Sequence, residues 1–259
     1  MTFFKCTLGL LVLLLLSDCS WAEEKDLSVS ELLWRANKDV VRTEGGPFVV
    51  DDIAYANENE RNADPCTAKD CKWRKSSNRK VYVPYVIATH FSSGERSIIK
   101  RGLRSFHGCT CIRFVQRTNQ QAYLSIKSDN GCYSYVGRQG KKQTVSLNRK
   151  GCLHQGTIQH EMLHALGFRH EQSRSDRDQH IRILWENIES GKKSNFKKRD
   201  TLNLNTPYDY NSVMQYRRDA FSRNNKPTMV PIPNPNVEFG TATKMSKNDI
   251  IRVNKLYKC

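Results

Sequence analysis

The chain has 259 residues, 42 Lys or Arg against 26 Asp or Glu and a net charge of +16, enough for one domain with a sizeable core. No internal repeat or interdomain linker is visible, and no segment after the first two dozen residues has enough consecutive apolar residues to span a membrane. The positive charge raises nucleic-acid binding, but the basic runs Lys192-Lys193 and Lys197-Lys198-Arg199 carry no nucleic-acid motif and the amino terminus directs the chain away from nucleic acid; an acidic matrix or glycoprotein envelope suits the charge better.

Residues 1–22 contain Lys5, an apolar run over 8–16 and the small residues Ser20 and Ala22 around Trp21. That is the pattern of a cleaved secretory signal, too short to anchor the chain, and it predicts a soluble, secreted protein with no membrane partner. Residues 23–61 hold ten Asp and Glu but five Lys and Arg, a net −5; the signal is balanced, which leaves +21 on residues 62–259. An acidic leader on a basic body reads as a propeptide held partly by charge attraction, and a trypsin-like protease cutting after Arg61 would free Asn62. Beyond it, residues 80–87, 111–115 and 122–126 read as strands, and 94–106 has helical spacing.

Residues 160–170 read His160-Glu161-x-x-His164-x-x-Gly167-x-x-His170. Positions four apart share a helix face, so His160 and His164 converge on one ion, and a glycine can take the left-handed turn that brings His170 back as a third ligand. Three neutral nitrogens suit one catalytic zinc with a position left for water, beside which Glu161 can act as general base. The long form of the motif is that of metzincin proteases. A helix is expected over 157–166 with Thr157 as its cap, and another over 247–256; the stretch between them is poor in regular pattern. His90, His107, His154 and His180 sit in no ligand spacing.

Some tens of residues downstream stands Ser212-Val213-Met214-Gln215-Tyr216. With this turn the chain resembles the astacin family of zinc endopeptidases, whose motif also carries the equivalents of Phe168 and Glu171. The resemblance runs from about residue 62 to 259 and includes Thr110-Cys111-Ile112-Arg113-Phe114, Gly131-Cys132-Tyr133-Ser134-Tyr135-Val136-Gly137 and Ser175-Asp176-Arg177-Asp178. It implies an α+β, two-lobed metzincin fold with the zinc helix at the floor of the cleft, Met214 in the turn beneath the metal, and Tyr216 as a displaceable ligand that stabilises the tetrahedral intermediate. Residues 132–137 are the expected edge strand for an extended substrate. The family usually has histidine where this chain has Gln215.

The resemblance also implies that an aspartate of the leader blocks the zinc. Asp52 is favoured over Asp51, although the glycine usually preceding that aspartate is missing, and two solvated acids in a loop are the alternative. In the family the freed amino terminus packs near the glutamate matching Glu171, but residues 66–71 lengthen this chain's mature amino terminus, so the terminus is not assigned there.

Seven of the nine cysteines lie outside the signal segment, and in a secreted chain they should form disulfides. Sequence leaves the pairing open; the resemblance selects Cys66–Cys71, Cys111–Cys259 and Cys132–Cys152. Cys109 is left over, to stay free, pair with another chain or compete with Cys111. Within the family, Asn62-Ala63-Asp64-Pro65-Cys66, the segment 203–210 and the segment 231–237 resemble fish hatching enzymes. The expected protein is a monomeric, secreted zymogen, possible cargo of secretory granules, acting on egg-envelope glycoproteins. Alternatives are an astacin of adult tissue and a catalytically silent envelope-binding protein. Arg217 and Arg218 either favour an acidic residue beside the scissile bond or form a solvated face.

Overall fold

The computed structural model describes residues 27–40, 47–56 and 71–259; the signal segment, Arg61, Asn62 and Cys66 lie outside them. The helices are α1 (Val29–Asn37), α2 (Ser93–Arg104), α3 (Gln155–Ala165) and α4 (Lys247–Leu256). The strands are β1 (Phe48–Val50), β2 (Ile53–Tyr55), β3 (Val81–Ile87), β4 (Ile112–Gln116), β5 (Tyr123–Lys127), β6 (Cys132–Tyr135), β7 (Lys142–Leu147), β8 (Ile181–Ile183) and β9 (Met229–Pro231).

Seven strands form one sheet in the order β1-β2-β6-β7-β5-β3-β4. Strands β4, β3, β5 and β7 run parallel, and β6 returns antiparallel to β7. The inner faces of β3, β5 and β7 supply Val81, Val83, Leu124, Ile126, Val145 and Leu147 to a core closed by Ile99 and Leu103 of α2 and by Ile158 and Met162 of α3. A second cluster, Ile181, Ile183, Ile188, Phe196, Tyr208, Tyr216 and Met229, packs the lower lobe around the β8–β9 pair. The chain is thus an α+β protein with two cores, and α3 belongs to the first.

Helices α2 and α4 begin with capping boxes, Ser92 with Glu95 and Ser246 with Asp249, which satisfy two otherwise unpaired backbone amides at each start. Helix α3 begins two residues before the expected start. Its N-cap is His154, without a side-chain hydrogen bond, and Thr157 is buried inside the helix. The cap is dispensable there because burial, not propensity, holds this helix: every residue from Gly156 to Ala165 is buried. Two side chains cover carbonyls at its end, Trp73 Nε1 donating to Ala165 O (2.9 Å) and the Tyr257 hydroxyl to Leu166 O (2.9 Å).

Helices α2 and α3 touch at Gly102, where an added Cβ would lie 2.6 Å from Ile158 Cγ2. Gly102→Ala is therefore expected to destabilise by ~1–3 kcal/mol through overpacking, despite alanine's better helix propensity. Thermal unfolding checks this, and a rise in Tm would show that Ile158 yields freely.

Cys111 is bonded to Cys259 and Cys132 to Cys152. Cys71 is also disulfide-bonded. Cys109 is free and half-buried, its thiol directed at Ser105 O (3.4 Å).

The leader contributes structure that charge alone does not suggest. Ser28 caps α1 by accepting from Glu31 N, and β1 and β2 form a hairpin whose second strand pairs in parallel with β6, Ile53 opposite Ser134 and Ala54 opposite Tyr135. The strand expected to receive substrate ends at Tyr135 and is covered on its free edge by the leader.

Candidate active site

Helix α3 places His160 and His164 one turn apart with ring centroids separated by 4.7 Å. Gly167, at φ 107°, turns the chain back after the helix, its N–H bonding His164 O and that of Phe168 bonding Leu163 O. The return brings His170 to 5.3 and 4.8 Å from the other two rings. The Nδ1 atoms of His160 and His164 lie against carbonyls, Val213 O at 2.7 Å and Phe168 O at 2.8 Å. Each Nδ1 therefore carries the proton and leaves Nε2 as the free donor.

All three Nε2 atoms face one carboxylate, that of Asp52. One oxygen is 2.9 Å from His160 and 3.1 Å from His170; the other is 3.0 Å from His170 and 3.5 Å from His164. Those separations bracket the roughly 3.3 Å edge of a tetrahedron with ligands about 2.0 Å from zinc. His164 Nε2, Asp52 Oδ1 and both oxygens of Glu161 are buried without a hydrogen-bond partner. Buried polar atoms in that condition are costly, and a dication bound by three imidazoles answers the nitrogens and offsets the clustered carboxylates. The donor set fits zinc.

Electrostatics separates the three acids. Burial opposes charge on Asp52, but the imidazoles of His170, His160 and His164 around it outweigh burial and hold its carboxyl well below the usual range. Glu161 is pushed well above that range by burial and by the charges of Asp52 and Asp51. Asp51 rises to about 7, chiefly by burial and then by Asp52. Asp51 accepts a short hydrogen bond from the Tyr216 hydroxyl. It also has φ 59°, the left-handed conformation that glycine favours and aspartate tolerates, which explains how this chain turns without the missing glycine.

Met214 is buried in the turn, and its carbonyl accepts from Glu171 N at 2.9 Å. Asp249 of α4 fixes that turn, accepting from Ser212 Oγ (2.6 Å) and Val213 N (3.1 Å). Arg252, one turn further along α4, donates to both oxygens of Glu171 at 2.5 and 2.7 Å, with Asp209 N adding a bond at 2.7 Å and Arg174 a contact at 3.4 Å. Gln215 is tied to the same turn, accepting from the Tyr208 hydroxyl and donating to Tyr216 O. Sequence alone points to none of Asp249, Arg252 and Arg174 as supports, because their partners lie far away in the chain or carry no local pattern. Arg217 is engaged by Asp219 and the leader's Glu31, and Arg218 donates to Pro235 O and Val237 O.

Residues 67–258 match the astacin family of peptidases. The chain is an astacin. It is 49% identical over 235 residues to high choriolytic enzyme 1 of Oryzias latipes, covering 90% of this chain and 84% of that protein. It is 52% identical over 201 residues to the low choriolytic enzyme of the same fish, covering 77% and 74%. The solved structure of high choriolytic enzyme 1, described as a hatching enzyme zinc-protease, superposes with a TM-score of 0.73 at 53% identity, over 75% of this chain and 98% of that one. This astacin is therefore a zinc metalloendopeptidase with protein substrates.

Asp52→Asn in the full chain, with residues 23–61 still attached, removes the anion facing the imidazoles while keeping the side chain's shape. Hydrolysis of a short peptide by the uncut protein is expected to rise at least about tenfold; an unchanged, latent precursor would show that the β1–β2 hairpin closes the cleft without its carboxylate.

Proposed function

We propose that this astacin is a secreted zymogen with a signal peptide over 1–22, an inhibitory propeptide over 23–61 and a protease domain over 62–259, acting on egg-envelope glycoproteins at hatching. The observation that carries the zymogen reading is the Asp52 carboxylate seated among the three histidines where a substrate carbonyl would have to enter. Among the described residues no helix is long and apolar enough to cross a membrane, in keeping with secretion. The envelope substrate rests on the choriolytic relatives and on the basic charge of the domain.

His160, His164 and His170 are assigned as the zinc ligands. Zinc bound there supplies a Lewis acid that polarises the scissile carbonyl and eases loss of a proton from water. The substrate strand pairs with the edge of β6 once β2 has left. Glu161, buried beside the histidines, takes the proton of the attacking water and passes it to the leaving amine. The Tyr216 hydroxyl, released from Asp51, donates to the developing oxyanion. Met214 and Gln215 hold the turn that carries it.

The test is release of soluble peptide from isolated fish egg envelopes by the protein trimmed to Asn62, beside its Glu161→Gln variant at equal zinc content. Release by the unsubstituted protein alone is expected. Cleavage of casein with intact envelopes would instead favour an astacin of adult tissue, the reading to which Gln215 and the free Cys109 belong.

A further inference from the structure

The leader stands on the protease domain at two separate footings. One is the β1–β2 hairpin, with Asp52 among the imidazoles, Asp51 on Tyr216 and Ser134 N bonding Asp52 O at 2.9 Å. The other is α1, which packs on α3 and β6.

The surface under α1 is shaped to receive it. Val29 and Leu33 are buried, and the domain meets the helix with glycines. A Cβ at Gly156 would lie 2.6 Å from Val29 Cγ2, as well as 2.1 Å from Thr243 O of the domain itself, and one at Gly151 3.2 Å from Ala36 Cβ. One at Gly131 would lie 2.4 Å from Asn37 Oδ1. Polar contacts fix the register. Val29 N donates to Ala242 O (2.8 Å), Arg217 N to Ser30 Oγ (2.8 Å), and the Asn37 carboxamide accepts from Cys132 N (2.8 Å) while donating to Cys132 O (3.0 Å). Asp219 grips the Arg217 guanidinium through both oxygens, at 2.6 and 2.7 Å. So held, it bonds Glu31 and lies 4.8 Å from the Trp34 ring centroid. A tryptophan-bearing amphipathic helix with a glutamate in its first turn is what this surface fits.

We propose that the α1 footing is a docking surface that holds the severed leader on the mature protease, so that the leader, once cut, acts as a peptide inhibitor in trans. This rests on the zymogen reading above. A cut after Arg61 leaves both footings on one peptide. Each footing then raises the local concentration of the other, and the pair binds far more tightly than either alone. Activation consequently has two steps, the cut and the departure of the leader, and the second depends on protein concentration or on further cutting between the footings.

The experiment uses the enzyme trimmed to Asn62, a short fluorogenic substrate, and synthetic peptides spanning residues 27–56, 47–56 and 27–40, the last also dye-labelled for anisotropy. The 27–56 peptide is expected to inhibit at a concentration at least about 30-fold lower than 47–56, and that advantage should vanish with Glu31→Gln and Trp34→Ala together in the peptide. The labelled 27–40 peptide should bind, and Arg217→Ala in the enzyme should weaken both α1-containing peptides while leaving 47–56 as before. Equal inhibition by 27–56 and 47–56, or no binding of 27–40 at about 1 mM, overturns the proposal. If the trimmed enzyme hydrolyses nothing even without peptide, the zymogen reading fails instead, and the anisotropy arm still decides the docking surface.

Discussion

Glu161→Gln is expected to lower kcat by about 10²- to 10⁴-fold, or ~3–5 kcal/mol of barrier, with little change in Tm. Glutamine has the same shape but accepts no proton. Both oxygens of Glu161 are buried without a partner, so no structural hydrogen bond is lost with the charge. The residue also stands close to the charges of Asp51 and Asp52 that help raise its pKa, and removing one acid from that cluster relieves repulsion while those two are in place. The measurement is kcat on a short peptide at matched zinc content, beside thermal unfolding. Activity within about threefold of the unsubstituted enzyme would leave Glu161 without its role as base.

The second large effect is on stability. Arg252→Gln leaves the Glu171 carboxylate buried with its principal counter-charge gone, a loss of ~3–5 kcal/mol for a broken buried pair. In a domain of this size that is a fall in Tm of roughly 6–20 °C. Replacing both partners, Glu171→Gln with Arg252→Gln, should recover much of the loss, since no unpaired charge then remains. Because Glu171 follows His170 and its N–H holds Met214 O, the single variant should also surrender zinc faster to a chelator. A single variant as stable as the parent would mean that Arg174 and Asp209 N suffice for Glu171.

Legibility in the sequence follows from how local each signal is. Helices α2 and α4 keep one wet face and open with Ser-x-x-Glu or Ser-x-x-Asp boxes, so spacing alone places them. Helix α3 is buried on all sides from Gly156 to Ala165 and shows no amphipathic stripe; only the histidine spacing reveals it, and Thr157 misleads as a cap because a buried helix start needs none. Strands β8 and β9 are three residues each, too short for alternation to register. Helix α1 escapes a reading by charge alone, although Ser28-Ser30-Glu31 ahead of Leu32-Leu33 offers a capping signal. The Arg252–Glu171 pair spans 81 residues and joins a helix surface to a loop, a relation no local pattern contains.

If the chain is the zymogen proposed above, that pair also says what kind of event activation is. Glu171 is already matched by Arg252 while the leader still covers the cleft, and Asp249 already holds the turn bearing Met214. Neither loop waits for a newly made chain end to complete it. On the proposed zymogen reading, maturation is thus the unveiling of a finished machine, and the particular bond at which the leader is severed should matter less than whether the leader departs.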